Sequence, residues 1–291
     1  MSAIEALLTR MIDYAGLFAP ASLDMATAVR NYHDYLRGEH AWMLGNFIVP
    51  ARRLAEFTEA FNEVCCEEQE SPWTLSVVCL EEDPRDDGKL IDAFQEGAAY
   101  LSAFEAKAIH EAAAWNILAA LPRSGRRYIE FPPDLAPGVL PVLNEYEARA
   151  KIRTGGITAD AIPQPETILR FLRACLAQRV AFKATAGLHH AVRGMHRLTY
   201  SLSTPVAKTH GFLNVFLCAG LAMTGAVDEA LMRTLLEEDA QVFQLDDGWI
   251  KWHDQRLSAE QIFRLRTTLA DGFGSCSFTE PIDDLKTMGW L

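Results

Sequence analysis

Residues 165–187, PETILRFLRACLAQRVAFKATAG, hold one complete helix-to-strand step. Pro165 opens a helix, since the first helical position needs no amide proton. Ile168, Leu169, Leu172 and Leu176 then fall on one apolar side. The period changes at Val180. Residues 180–185 form a short apolar run with Lys183 inside it, and Ala186-Gly187 ends the run. Such a run reads as a strand buried on both faces, as in a parallel sheet covered by helices. A lysine there is costly unless its charge is paired, neutralised or used.

The same step recurs upstream. Residues 148–154 form a strand carrying Lys151 and Arg153 and ending in Thr154-Gly155-Gly156. Earlier strands are expected at 42–49, 73–80, 100–106 and 127–131, after a first short run from Met11. Helices fall between them at 52–64, 89–98, 110–121 and 139–146, and Asp24 caps a helix before the second strand. Strict alternation implies crossover connections and a parallel sheet. Seven such units and an eighth favour a closed (β/α)8 TIM barrel spanning residues 1–291 as a single domain. An open doubly wound sheet is the competitor, and the first turn lacks the G-x-G-x-x-G of its dinucleotide-binding form. Asp246-Asp247-Gly248 between two apolar runs signals a hairpin. Residues 242–252 are therefore read as an insertion, the last strand is expected at 274–278, and a closing helix at 281–288.

A net charge of −12 over 291 residues argues against nucleic acid as a partner. Residues 1–5 do not resemble a signal peptide, and the most apolar run, 211–223, contains Asn214 and is too short to span a bilayer. That run is apolar on almost every side, which fits the core or the interface of a homo-oligomer. The six cysteines form no C-x-x-C pair and read as the reduced thiols of a cytoplasmic protein. No motif calls for a cofactor, and no H-x-H or H-E-x-x-H spacing calls for a metal.

In a parallel barrel the reacting groups gather at the C-terminal strand ends. Period-two alternation turns Lys183 and Thr185 inward on the seventh strand, Lys151 and Arg153 together on the sixth, and Glu105 and Lys107 together on the fourth. Glu130 alternates against Ile129 and Phe131, and Asn46 is the polar member of the second strand. Two lysines at one barrel mouth suit Schiff-base chemistry, because one ammonium depresses the pKa of its neighbour. Glu105 or Glu130 would carry protons. The turns Thr154-Gly155-Gly156 and Thr185-Ala186-Gly187 can approach an oxyanion closely, with Arg153 and Arg193 supplying charge. His189 and His190 are candidates for substrate hydrogen bonding or acid–base work. A mixed metal site of Glu105, Glu130 and one of these histidines, serving an isomerase or lyase, is an alternative, as is a barrel that only binds an anionic metabolite. Residues 194–209 have little periodic pattern and suit a lid. No G-x-S-x-G elbow supports a serine nucleophile.

These two strands resemble those of Schiff-base barrel aldolases such as deoxyribose-phosphate aldolase. Phe182-Lys183-Ala184-Thr185-Ala186-Gly187 is similar to that family's imine strand, and Lys151-Ile152-Arg153-Thr154-Gly155-Gly156 to its second lysine strand. The resemblance implies that Lys183 forms the imine and Lys151 tunes it. In the family the imine strand comes first; here the order of the two motifs is reversed. The expectation is a carbon–carbon lyase acting on a small anionic oxo or hydroxy compound, phosphorylated or carboxylated.

Overall fold

A computed structural model describes residues 1–291 apart from 65–71, 81–83, 96, 98, 202, 226 and 240–241. Thirteen strands are present among the described residues: β1 (Ile12–Tyr14), β2 (Leu44–Pro50), β3 (Trp73–Val78), β4 (Ala99–Lys107), β5 (Arg126–Glu130), β6 (Arg149–Arg153), β7 (Phe182–Thr185), β8 (Gly194–Arg197), β9 (Val206–Thr209), β10 (Phe243–Asp246), β11 (Trp249–Trp252), β12 (Gln255–Ser258) and β13 (Ala270–Ser275). β1 to β7 and β13 close into one eight-stranded parallel barrel, each strand hydrogen-bonded to its chain neighbour and β13 to both β7 and β1. This is the α/β barrel expected from the alternation of strands and helices.

The helix Pro165–Gln178 has Pro165 at its start, and Arg179 ends it in the left-handed conformation. Ile168, Leu169, Phe171 and Leu172 are buried against the barrel wall. β7 then sorts its side chains by phase. Phe182 packs outward on Phe171 and Phe216, with ring centroids 5.8 and 6.0 Å away. Lys183, one residue on, turns into the barrel.

The eighth strand begins four residues before its expected position, at Ala270 rather than 274, and the closing helix is Thr279–Thr287. Asp271-Gly272 reads as a turn, yet it lies inside β13 at a register irregularity. Gly272 has φ of 152°, and a Cβ there would stand 2.4 Å from the Met11 carbonyl oxygen. Only glycine lets β13 lie this close to the chain entering β1.

The connection from β7 to β13 carries the insertions. β10 and β11 form the expected hairpin, and β12 adds a third antiparallel strand. The expected lid, 194–209, is a two-stranded antiparallel hairpin of β8 and β9. The helix Phe212–Thr224 is buried from Phe212 through Leu221 within this chain, so its apolar surface forms core rather than a subunit interface. No helix among the described residues is long and apolar enough to cross a membrane. Cys79, Cys175, Cys218 and Cys276 are free and buried; Cys65 and Cys66 lie outside the described residues.

Candidate active site

A line of alternating charges runs up the inside of the barrel. Lys183, 1% exposed, places Nζ 2.5 Å from Asp13 Oδ2 and 2.5 Å from Glu105 Oε1. The other oxygen of Glu105 lies 2.8 Å from Lys151 Nζ, and Ser76 donates to Oε1 at 2.6 Å. Lys151 also lies 3.2 Å from Glu130 Oε2, and Arg153 Nε donates to Glu130 Oε1 at 3.1 Å. The order is Asp13, Lys183, Glu105, Lys151, Glu130, Arg153. Lys183, Glu105, Lys151 and Glu130 are each buried between opposite charges, which is the condition for keeping ions in a low-dielectric interior.

The two lysines are register partners on neighbouring strands, but they serve different spaces. Lys151 lines a cavity of about 290 Å³ at the C-terminal mouth, together with Glu105, Glu130, Arg153, Thr185 and His189. Lys183 does not line it; this side chain borders a separate cavity at the opposite end of the barrel. The expected lysine pair is therefore interrupted by Glu105. Burial works against the charge of Lys183, but the carboxylates of Asp13 and Glu105 outweigh it and hold the ammonium pKa well above the usual lysine value. Lys183 is thus a fixed cation, the opposite of a lysine made neutral by its neighbour. Burial likewise opposes ionisation of Glu105, and Lys151 and Lys183 overcome it and hold its pKa far below the usual carboxylate range. Glu130 is lowered against its burial by Lys151 and Arg153.

His189 reaches the mouth cavity from the turn after β7. Its Nδ1 lies 3.0 Å from Ser275 Oγ and 3.2 Å from Glu280 Oε2, with Cys276 Sγ 3.9 Å away. Burial disfavours the imidazolium, but the contacts with Cys276 and Glu280 prevail and push its pKa up to about 9. His189 therefore enters the cavity as a proton donor at neutral pH. Tyr200, from the β8–β9 hairpin, brings its hydroxyl to 3.6 Å from Cys276 Sγ.

The cavity opens into an outer chamber of about 660 Å³, which shares Arg153, Ala186 and His189 with it and adds Gly155, Gly156 and Gly187. Gly187 has φ of 82°, and its Cβ would meet Gly155 Cα at 2.8 Å, so the two turns touch backbone to backbone. This packing leaves both turns open toward the chamber.

Several expected site residues lie elsewhere. Asn46 sits at the N-terminal end of the barrel, where its backbone amide donates to Asp13 Oδ1 at 2.5 Å. Thr154 is buried and its hydroxyl donates to the Thr185 carbonyl at 3.2 Å, tying β6 to β7 rather than facing substrate. Arg193 donates its backbone amide to Asn214 and its guanidinium to the Glu237 carbonyl, away from both chambers. His190 lies in the outer chamber only, with Nδ1 3.1 Å from Asp284 and its ring stacked on His196 at 3.4 Å. Lys107 lies at the exposed rim of the inner cavity. The alternative grouping of Glu105, Glu130 and a histidine around a metal is not assembled among the described residues. Both carboxylates are held by lysines, and no three His, Cys, Asp or Glu side chains among the described residues gather as ligands.

Asp13, Tyr200, Cys276, Glu280 and Asp284 were not foreseen. Asp13 stands in the apolar run Met11-Ile12-Asp13-Tyr14, the same kind of anomaly that marks Lys183. Glu280 and Asp284 are four residues apart on the closing helix, so one helical face offers a carboxylate to each of two adjacent histidines.

No family model matches the chain, and no curated protein matches it. Among solved structures it is similar to the deoxyribose phosphate aldolase of Aeropyrum pernix, described as a tetramer. The TM-score is 0.50 at 10% identity, covering 98% of this chain and 97% of that one. At that identity the likeness shows the barrel fold, in agreement with the strand order.

Proposed function

We propose that this barrel is a Schiff-base carbon–carbon lyase for a small anionic oxo or hydroxy compound, with Lys151 forming the imine. One observation carries the reading: of the two barrel lysines, Lys151 borders the mouth cavity, with Glu130 3.2 Å away to accept its proton and His189 lining the same space. The roles suggested by motif similarity are thereby exchanged. Lys183 becomes the buried cation that fixes Glu105, and the earlier strand carries the nucleophile.

Lys151 first gives up a proton, which Glu130 relays to solvent. The amine adds to the substrate carbonyl, and the His189 imidazolium protonates the departing hydroxyl so that water leaves. A carboxylate beside the new iminium takes the proton of the substrate's β-hydroxyl. The carbon–carbon bond breaks, its electron pair moves into the iminium to give an enamine, and an aldehyde departs. Protonation and hydrolysis of the remaining adduct restore the amine. Arg153 and the backbone of the glycine turns would hold the anionic end of the substrate. The chain works as a single domain in the cytoplasm, and its assembly is homo-oligomeric, as for the tetrameric aldolase of similar fold.

The test is borohydride reduction with a panel of aldehydes and phosphorylated or carboxylated ketones, followed by peptide mass mapping. The expected result is a reduced adduct on Lys151, lost in Lys151→Met. An adduct on Lys183, or turnover of a substrate without any trappable adduct, overturns the assignment.

A further inference from the structure

The barrel has a second opening. At the N-terminal ends of the strands a cavity of about 690 Å³ is bordered by the exposed Arg10 and Arg126, the half-buried Arg266, and the buried Asp13 and Lys183. Its charges are unevenly matched. The carboxylates are already engaged: Asp13 by Lys183 and the Asn46 amide, and Asp271 by Arg149 and by Tyr128, whose hydroxyl donates at 2.9 Å. The arginines bind neutral oxygens instead. Arg10 donates to Thr74 Oγ1 at 3.0 Å, and Arg266 to the carbonyls of Thr9, at 3.1 Å, and Ala270. The Nε of Arg266 is buried with no hydrogen-bond partner among the described residues. Burial draws the pKa of this guanidinium down to about 10, against the pull of Asp271 and Asp13.

We infer that this N-terminal cavity is a second ligand site, taking a small oxyanion of at least two negative charges, a phosphate or a polycarboxylate. The chain as a whole carries −12, so three guanidiniums around one cavity run against its bulk charge. Guanidinium is the group that matches phosphate and carboxylate geometry with paired donors. A bound oxyanion would compensate the half-buried Arg266, whose guanidinium donates to neutral carbonyls and to no carboxylate among the described residues. This cavity is separated from the mouth by Lys183 and Glu105, so the ligand is distinct from the substrate.

The test is calorimetric titration of the full chain with inorganic phosphate and with citrate, repeated on three variants. Arg153→Ser weakens anion binding at the mouth and should leave this binding intact. Arg126→Ser and Arg266→Met should each weaken it about tenfold or more, the size of one charge-assisted hydrogen bond. Arg266 also anchors two backbone carbonyls, so its variant can lose structure; Arg126 is exposed and its variant keeps the test decisive. Saturable binding of phosphate, citrate or both with this pattern supports the site and says which chemistry it prefers. No saturable binding of either ion, or binding lost in Arg153→Ser and unchanged in Arg126→Ser, overturns it. Heat is the readout, so the outcome is independent of imine formation at Lys151.

Discussion

Replacing Lys183 by methionine keeps most of the side-chain volume and deletes one buried charge. Two carboxylates then lose a contact at 2.5 Å each. Removing one member of a buried ion pair costs about 3–5 kcal/mol, because the partner is left uncompensated. Here each partner keeps something. Asp13 retains the Asn46 amide, and Glu105 retains Lys151 and Ser76. The loss should therefore fall at the lower end, about 3 kcal/mol. For a domain of 291 residues that corresponds to a fall in Tm of roughly 5 °C.

The pH dependence fixes the cause. The pKa of Lys183 is raised on folding, so its contribution is complete below the ordinary lysine value and fades only as pH climbs through the higher folded value. Glu105 is depressed, so its contribution is present above the ordinary carboxylate value and is lost as pH falls through the folded one. The deficit of Lys183→Met should be greatest near neutrality and shrink as acid neutralises the stranded carboxylates. Urea unfolding followed by tryptophan fluorescence at pH 7.5 and pH 4 measures both. A loss below about 1 kcal/mol at neutral pH, or a loss of equal size at both values, refutes the buried-pair reasoning. Adding Asp13→Asn to the variant should restore part of the loss, since it removes one of the stranded charges.

Two smaller perturbations probe the mouth. Glu280→Gln removes one of the contacts that hold His189 near 9, and its pKa should drop by about 1 unit in an NMR titration of the imidazole. The raised histidine stabilises the fold most below its ordinary value and stops doing so as pH rises through about 9, so the variant's deficit from this group is fullest below the ordinary histidine value and disappears as pH rises through about 9. Gly187→Ala forces a left-handed φ of 82° on alanine and drives its Cβ against Gly155. It should cost about 1–3 kcal/mol in urea unfolding, and wild-type stability would show that the two turns do not meet.

Much of the barrel was legible because periodicity survives without knowledge of contacts. Phe182 and Lys183 differ in phase by one residue, and that alone sends one to the helices and the other inward. The eighth strand was read four residues late because what makes Asp271-Gly272 strand is the close approach of Met11, a residue about 260 positions away. The site residues divide in the same way. Lys151, Glu105 and Glu130 were readable as inward polar groups on neighbouring strands. Arg193 and Thr154 have suitable chemistry but point elsewhere, and neither type nor spacing encodes that direction. Tyr200 lies in a hairpin with weak periodicity and reaches the site only through the fold.

The contrast between the two lysines follows from depth. Phase placed both on the inner face, and nothing in either strand says which end of a packed barrel a side chain will serve. That is decided by Asp13, which attracts Lys183 from β1 on the far side of β13, and by Glu105, which stands between the two ammonium groups. With Asp13 below and Glu130 above, the column can alternate in sign from one end of the barrel to the other. Withdrawing the charge of Lys151 leaves Glu105 with Lys183 alone and releases Glu130 from one of its two cations. Under the proposed reaction Glu130 is then more basic while Lys151 is a neutral amine, which suits it to accept the ammonium proton before attack on a carbonyl. Lys183 keeps Glu105 ionised throughout, so the change is directed upward, toward the mouth. In the proposed reaction the buried cation of Lys183 would in this way decide which of two carboxylates takes the proton.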